Sequence, residues 1–381
     1  MKIKNKVLLT LGLGAALGTG AASAQIDFSD GTISGQIAPL TGFGTGGSGW
    51  QAPNGTDGST FTYLTANSVQ RGLAYGDGDL FLVQDSGSID ILNPTTGGFL
   101  GTLNNSGITG GTFGADMVAV GGDGTVYVGN LTASATVPFT VYKWTAGNFS
   151  SAPTVAYSGN PLGGGTRLGD SLAAIGSGNS TLLVAGYGAG ASGYEIINPS
   201  ANSATAIAFT GSPPTAGNFK LGLAFTDSSH VIGTAGGGIA RDSAFSGTTG
   251  TLLASPALSG TADVPLGYIS VGGYNIMVTT STGDNHVTLY DMANPGSPTI
   301  LEQSANNTTG TLASNGNQTG DVTFGPVTDN PDGTYTFDVY TMSTGDGIQA
   351  FQVVIAPEPS TYALAMLGAG SLLLWRRRGG H

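Results

Sequence analysis

The chain has few side chains that could act as a general base. Its 381 residues include three histidines, of which His230 and His286 lie in the body of the chain and His381 is the last residue. A Ser-His-Asp hydrolase needs a histidine held between a nucleophile and an orienting carboxylate. No Gly-x-Ser-x-Gly elbow joins a predicted strand to a predicted helix, so that nucleophile has no candidate. We therefore assign no catalytic residue from the sequence.

Carboxylates are more abundant, but their setting favours turns over catalysis. Glu195 and Glu302 are the only glutamates ahead of the C-terminal tail, whereas there are twenty aspartates. Glycosidases need two opposed carboxylates, yet most of these aspartates adjoin glycine, and both residues tolerate the positive φ of a tight hairpin. Asp77-Gly78-Asp79 also begins a spacing used for Ca²⁺, although no twelve-residue loop ending in Glu follows. We expect no cofactor, and keep a structural calcium ion at Asp77 and Asp79 as the alternative.

The overall composition excludes several classes of function. The chain has 23 Asp and Glu against 11 Lys and Arg, a formal net charge of −12, and no cysteine. Without cysteine there is no disulfide framework, no thiolate zinc site and no thiol catalysis. An acidic protein does not follow a phosphate backbone. We therefore expect no nucleic-acid partner.

The N-terminus has the order of a secretory signal peptide. Three lysines, a short apolar stretch and a small-residue site follow one another as Lys2, Lys4 and Lys6, residues 7–17, and Ala22-Ser23-Ala24. The apolar stretch is far shorter than the ~20 residues that a membrane anchor needs. Residues 1–24 are thus predicted to be removed by signal peptidase, between Ala24 and Gln25.

The C-terminus carries a second, more specific pattern. Pro357-Glu358-Pro359 is followed by an uncharged run over 362–375 and then by Arg376, Arg377 and Arg378. The run has 14 residues, about 21 Å as a helix at ~1.5 Å per residue, which under-fills a hydrocarbon core of ~30 Å. The arginines should stay cytoplasmic, so the rest of the chain would face outward. A short span with a basic stop predicts a segment held in the membrane briefly for processing, with an ordinary C-terminal anchor as the alternative.

This tail, over residues 357–381, resembles the PEP-CTERM sorting signal of Gram-negative bacteria. In that family a Pro-Glu-Pro element, a transmembrane stretch and an Arg-rich end follow one another, as they do here. The resemblance implies that a membrane-embedded, exosortase-like protease recognises Pro357, Glu358 and Pro359 and cuts the tail. It implies a protein held for a time at the inner membrane and then placed at the cell surface, in the outer envelope or outside the cell.

Between the two ends, short β-branched and aromatic runs alternate with Gly, Asn-Pro and Asp-Gly turns, which is the pattern of strands and hairpins. The leading strand of each unit recurs at intervals of 44 to 55 residues, beginning near 73, 117, 172, 223, 268 and 322. Propeller blades of four strands repeat at ~40–50 residues, and helical periodicity is missing. The spacing therefore predicts an all-β protein with very little helix.

The predicted fold is a β-propeller of six four-stranded blades, with seven blades, a β-sandwich or a β-helix as alternatives. The sixth unit ends before a fourth strand, so an N-terminal strand, for which Phe61 to Thr65 is the candidate, should close the ring. This reading divides the chain into the signal peptide, a Gly/Ser/Thr-rich arm or extra hairpin at 25–58, the propeller at 59–355 and the sorting signal at 357–381.

Two functional interpretations follow. The first is a non-enzymatic surface or matrix protein, associated with exopolysaccharide or biofilm, whose propeller is a binding or structural module. The second is a secreted propeller enzyme that acts on polysaccharide or on a lactone or ester. The scarcity of His and Glu favours the first. Only five cationic residues remain between the signal peptide and the sorting signal. Neutral glycans or matrix components are therefore better partners than acidic polymers.

Overall fold

A computed structural model describes residues 33 to 357, except 54–60, 62, 66, 68, 189, 212 and 306–314. Within these residues all regular structure is β, apart from 3₁₀ turns at Gly178–Ser180 and at Pro53. In chain order the strands are β1 (Ile33–Pro39), β2 (Trp50–Gln51), β3 (Gln70–Gly76), β4 (Asp79–Gln84), β5 (Ile89–Leu92), β6 (Phe99–Thr102), β7 (Phe113–Val120), β8 (Val126–Leu131), β9 (Phe139–Trp144), β10 (Thr154–Gly159), β11 (Ala173–Ile175), β12 (Leu182–Gly186), β13 (Tyr194–Asn198), β14 (Ser203–Ala206), β15 (Ala208–Phe209), β16 (Gly222–Asp227), β17 (His230–Thr234), β18 (Ala240–Ser246), β19 (Thr249–Ala254), β20 (Asp263–Val271), β21 (Tyr274–Ser281), β22 (Val287–Asp291), β23 (Thr299–Gln303), β24 (Gly320–Phe324), β25 (Thr328–Asp329), β26 (Tyr335–Ser343) and β27 (Gly347–Pro357).

The strands form six blades around a ring, which confirms the predicted fold. Blades one to five are the antiparallel sheets β3–β6, β7–β10, β11–β14, β16–β19 and β20–β23, each in chain order from the axis outward. The sixth blade has the order β24, β26, β27, β1. The inner strands β3, β7, β11, β16, β20 and β24 contact one another in sequence, and β24 contacts β3, so the ring is closed.

The closing strand is N-terminal, as predicted, but it is not the predicted segment. Ile33 pairs with Pro357, and the pairing continues to Pro39 and Phe351, whereas no strand includes any described residue of 61–65. Residues 33–39 therefore belong to the last blade rather than to an arm or extra hairpin. The eleven-residue β27 presents an edge of unpaired backbone groups that β1 satisfies. Gly35 is one of the inward-facing residues of β1 and lies against Leu301. A larger side chain at this position would crowd Leu301.

The hydrophobic core lies between neighbouring blades rather than in one central mass. Six clusters of buried side chains fill the six blade-to-blade interfaces. The interface of blades one and two, for example, contains Phe81 and Trp144, and that of blades three and four contains Tyr194 and Phe219. Each such side chain contributes roughly 1.5–3 kcal/mol by leaving water. The core thus holds the blades side by side and fixes the inner strands around the axis.

Antiparallel connectivity gives the ring two distinct faces. Connections from first to second and from third to fourth strands lie at one end, here called the turn face: residues 77–78, 93–98, 121–125, 145–153, 176–181, 199–202, 228–229, 247–248, 272–273, 292–298 and 325–334. The remaining connections begin and end at the other end, the loop face: the described residues of 40–69, 85–88, 103–112, 132–138, 160–172, 187–193, 207–221, 235–239, 255–262, 282–286, 304–319 and 344–346. At the rim of the ring three of these connections also reach turn-face residues, since the amides of Gly44, Asn104 and Ala208 donate to the carbonyls of Thr96, Phe149 and Thr248. Every inner strand therefore runs from the loop face to the turn face.

Candidate functional site

A narrow channel follows the axis of the ring between the inner strands. Its lining is mostly aliphatic or small, with Ala74, Ala119, Ala174 and Ala224 contributed by the first four blades. The cavity is about 140 Å³, room for a few water molecules and well below the ~300–1,000 Å³ of typical ligand pockets. The channel therefore offers only a narrow, water-sized space.

Asp321 is the one acidic residue of this lining, and it joins the last blade to the first. Its Oδ2 accepts a hydrogen bond from the Leu73 amide at 3.2 Å, and its Oδ1 accepts one from the Val322 amide at 3.0 Å. Two residues on, Thr323 Oγ1 accepts from the Tyr75 amide at 2.9 Å. A small part of Asp321 is open to the channel, but protein surrounds it, and this burial raises the pKa of the carboxyl well above its ordinary range. Asp321 therefore joins the inner strands of the last and first blades through hydrogen bonds.

Two arginine–aspartate pairs lie at the loop face, of which one is buried and the other is partly exposed. Arg71 Nε is 2.6 Å from Asp116 Oδ1, both side chains are almost fully buried, and the guanidinium lies 5.0 Å from the centre of the Phe113 ring. Burial raises the pKa of Asp116 to about 7, although Arg71 opposes the shift. Arg167 binds Asp170 through Nε and Nη2 at 2.5 and 2.6 Å. The Arg71–Asp116 pair joins blades one and two, whereas the Arg167–Asp170 pair lies within the connection between blades two and three.

Sequence reasoning did not identify these pairs. The available signal was that Arg71 and Arg167 are two of only five cationic residues between the signal peptide and the sorting tail, Arg71 at the start of a predicted leading strand and Arg167 five residues before one. A cation in so acidic a domain has many possible carboxylate partners. Because Arg71 and Asp116 are 45 positions apart and belong to different blades, their pairing required the packed ring.

His286 lies between two carboxylates at the loop face of the fifth blade. Its Nδ1 is 2.6 Å from Asp284 Oδ1, and its Nε2 is 3.2 Å from Asp263 Oδ1. The contact with Asp263, assisted by the charges of both carboxylates, raises the pKa of the imidazole. Asp263 Oδ2 in turn accepts a hydrogen bond from Ser259 Oγ at 2.6 Å. Since acidic groups occupy both ring nitrogens, neither nitrogen faces a hydroxyl that it could deprotonate.

His230 is the partly exposed first residue of β17, next to the turn that joins β16 to β17. Its Nδ1 is 2.8 Å from Asp227 Oδ2 and 3.1 Å from Ser229 Oγ, and Ser229 Oγ donates to Asp227. In a catalytic triad the nucleophile and the orienting carboxylate bind opposite nitrogens of the imidazole. Here Ser229 and Asp227 share one nitrogen, so these three residues form a local turn network instead.

The two glutamates lie in different blades. Glu195 is fully buried in β13, where Tyr187 donates a hydrogen bond to its Oε2 at 3.4 Å. Burial raises the pKa of Glu195 to about 8, so the side chain is mostly neutral at pH 7. Glu302 is exposed on β23 of the fifth blade. The two carboxylates are therefore not brought together as a glycosidase pair.

Asp77 and Asp79, the calcium candidates, lie at the turn between β3 and β4. Asp77 and Gly78 both have positive φ values, 53° and 85°, which is the tight hairpin that Asp-Gly favours. Burial and the neighbouring Asp77 raise the pKa of Asp79. Within the described ranges, no three or more Asp, Glu or His residues converge as metal ligands. Because Ca²⁺ also binds carbonyl oxygens, a calcium ion here stays a prediction.

The sorting signal begins where the last strand ends. Pro357 is the final residue of β27 and pairs with Ile33. Beyond the described residues lie Glu358, Pro359, the uncharged run 362–375 and Arg376–Arg378, and at the other end the signal peptide 1–24 with Ala22, Ala24 and Gln25. Among the residues that the structure does describe, no helix has the length and apolar character to cross a membrane.

Comparisons with known proteins agree with the two parts of the chain. Residues 356–378 match the model of the PEP-CTERM protein-sorting motif, which spans both the Pro-Glu-Pro element and the arginine cluster. No match to this chain was found among the curated proteins.

Two solved structures resemble the ring. A DUF4623 family protein from Bacteroides eggerthii is 15% identical with a TM-score of 0.56, over 76% of this chain and 72% of that one. The major allergen Mala s 1 of Malassezia sympodialis is 11% identical with a TM-score of 0.51, over 74% of this chain and 91% of that one. At such identities the likeness shows the fold alone. The chain thus contains a central β-propeller domain followed by a PEP-CTERM protein-sorting motif.

Proposed function

We propose that this chain is a non-enzymatic surface or extracellular-matrix protein whose propeller acts as a binding or structural module. Its sorting motif implies export through a membrane-held step. Signal peptidase would remove residues 1–24, and an exosortase-like membrane protease would remove the tail. The domain would then reach the cell surface, the outer envelope or the exopolysaccharide matrix of a biofilm.

The observation that carries this proposal is that the side chains best suited to catalysis are buried or paired with other protein side chains. His286 contacts two carboxylates, Arg71 is paired with Asp116, and Glu195 is buried and mostly neutral. Nucleophilic or acid–base catalysis needs such groups within reach of a substrate. In the described residues they instead join strands and blades. This arrangement supports a scaffold more than a hydrolase.

Charge narrows the class of partner. Of the five cationic residues between the signal peptide and the sorting signal, Arg71 is buried and Arg167 is bound to Asp170. Aspartates, in contrast, occupy many exposed turns. An acidic polymer would be repelled unless cations bridge it. Neutral glycans and matrix proteins meet no such barrier, and they are the partners we propose.

Two experiments test the proposal. Fractionation of the native host, with detection of the propeller, should place it outside the inner membrane. A glycan array and calorimetry on the secreted domain, with and without Ca²⁺, should then reveal a neutral glycan or matrix ligand that is bound but not altered. Turnover of a polysaccharide, lactone or ester in the same samples would favour the secreted-enzyme interpretation. Retention of all of the protein in the inner membrane would contradict the sorting role.

A further inference from the structure

The two ends of the described chain meet at one corner of the turn face. β27 begins after the loop-face connection at 344–346 and runs to Pro357, so its last residue reaches the turn face. β1 pairs with it antiparallel, and therefore Ile33 begins at the same corner. No linker separates the ring from the sorting motif, because Pro357 is at once the last paired residue and the first residue of Pro-Glu-Pro.

The length of chain beyond Pro357 limits how far the ring can stand from the membrane. Five Cα–Cα steps separate Pro357 from Tyr362, where the uncharged run begins. At most ~3.6 Å per residue, this tether spans no more than about 18 Å. The eleven residues of β27 extend over about 36 Å at ~3.3 Å per residue. The tether is thus shorter than the strand to which it is attached.

We propose that, while the tail holds the protein in the membrane, the propeller sits with its turn face toward the lipid headgroups and its loop face directed outward. This inference rests on the proposed membrane-held sorting step. It identifies the turn face as the surface that meets the membrane and its processing enzyme. The loop face is then the surface available to partners before the tail is cut.

The charge on the turn face indicates that the tether, and not adhesion, imposes this orientation. Five exposed aspartates lie in its turns and strand ends: Asp77, Asp123, Asp227, Asp329 and Asp332. Of the cationic side chains in the described ranges, only Lys143 lies near this end, whereas Arg71, Arg167, Lys220 and Arg241 lie toward the loop face. An anionic lipid surface repels such a face. Once the tail is cut, this charge opposes rebinding to an anionic surface, although Phe99 and Val327 are also exposed at this end.

The absence of cysteine makes a clean test possible. Two exposed positions in the first blade, next to the sixth, serve as a matched pair: Thr95→Cys on the turn face and Ser86→Cys on the loop face. Each variant of the full chain is labelled with a fluorophore and reconstituted into phosphatidylcholine vesicles that contain a headgroup-linked quencher. We expect the label at 95 to be quenched several-fold more than the label at 86. Equal quenching, or stronger quenching at 86, would overturn the proposed orientation.

Two further measurements separate the possible failures. Flotation of the vesicles comes first, since a full chain that does not float with lipid would contradict the membrane-held step itself. A twenty-residue Gly/Ser insertion between Thr361 and Tyr362 adds a flexible tether of about 25 Å root-mean-square length. With this insertion the two labels should be quenched alike. If the difference persists, adhesion of the face, and not tether length, sets the orientation, and the inference is wrong.

Discussion

Glu195→Gln should make the propeller more stable at neutral and alkaline pH. Glu195 is fully buried, its Oε2 accepts one hydrogen bond from Tyr187, and its Oε1 has no hydrogen-bond partner among the described residues. Burial without a countercharge raises its pKa from 4.5 to about 8. Glutamine has nearly the shape of protonated glutamate, so the substitution removes the ionisation while it preserves the packing.

The size of the effect follows from the shift in pKa. The unfolded chain releases the proton above pH 4.5, whereas the folded chain holds it until about pH 8. The folded state of the wild type is therefore favoured at low pH and loses stability as the pH rises between these values. At 1.36 kcal/mol per pH unit, the loss is about 3 kcal/mol by pH 7 and about 5 kcal/mol by pH 8. Glutamine does not ionise, so the variant should keep the same stability over this pH range.

Urea unfolding, followed by the fluorescence of the buried Trp50 and Trp144, measures this difference at pH 4.5, 7 and 8.5. We expect the variant to match the wild type at pH 4.5 and to exceed it progressively at the higher values. The control is Glu302→Gln, because Glu302 is exposed on β23 and surface substitutions change stability by about 0.5 kcal/mol or less. If the gain of Glu195→Gln is constant across the three pH values, the carboxyl is not held neutral by burial.

Other contacts give sharper or simpler tests. Replacing Arg71 by Met should destabilise the domain by about 3 kcal/mol or more, since Asp116 is left buried without its cation. Thermal melting should show a smaller loss of stability when Asp116→Leu is added, and an unchanged loss would refute the pairing. His286→Ala should lower the free energy of unfolding most below pH 6.5. The raised pKa of the imidazole means that its contacts stabilise the folded state at low pH, and this contribution disappears as the pH rises. If the folded variant lost a measured enzymatic activity, the non-enzymatic proposal would be contradicted. Mass spectrometry of the protein from its native host should find neither residues 1–24 nor Arg376–Arg378, and an intact C-terminus in the mature protein would support an ordinary anchor.

The blades were predictable from the sequence because local signals repeat along it. Asp-Gly and Asn-Pro turns separate short apolar runs at a blade-sized interval, and Asp77-Gly78 adopts the positive φ that its residue types favour. The recurrence also predicted six units and a last unit without its fourth strand. Each of these features depends on neighbours within a few residues, so one sequence carries the information.

The closing strand and the buried pairs depend on residues that are distant in sequence. β1 joins Ile33 to Pro357 across the whole domain, and its alternation includes Gly35, which carries no hydrophobic signal. His286 and Asp263 come together because Asp263, the first residue of β20, pairs with Ser281 of β21, which immediately precedes the connection that contains His286. Residue types suggested a possible base at His286, but not that carboxylates would occupy both its nitrogens.

The meeting of Ile33 and Pro357 at one corner also determines how the ring responds to tension. If both ends of the described chain are pulled apart, the load falls first on this terminal pair rather than on all seven pairs between β1 and β27 together. The pairs then separate one after another, from Ile33–Pro357 toward Pro39–Phe351, because each hydrogen-bonded step bears the force alone. Strands that are pulled from opposite ends share the load along their length and resist larger forces. The sixth blade is therefore the part of the ring that should open first when the two ends of the described chain are pulled apart.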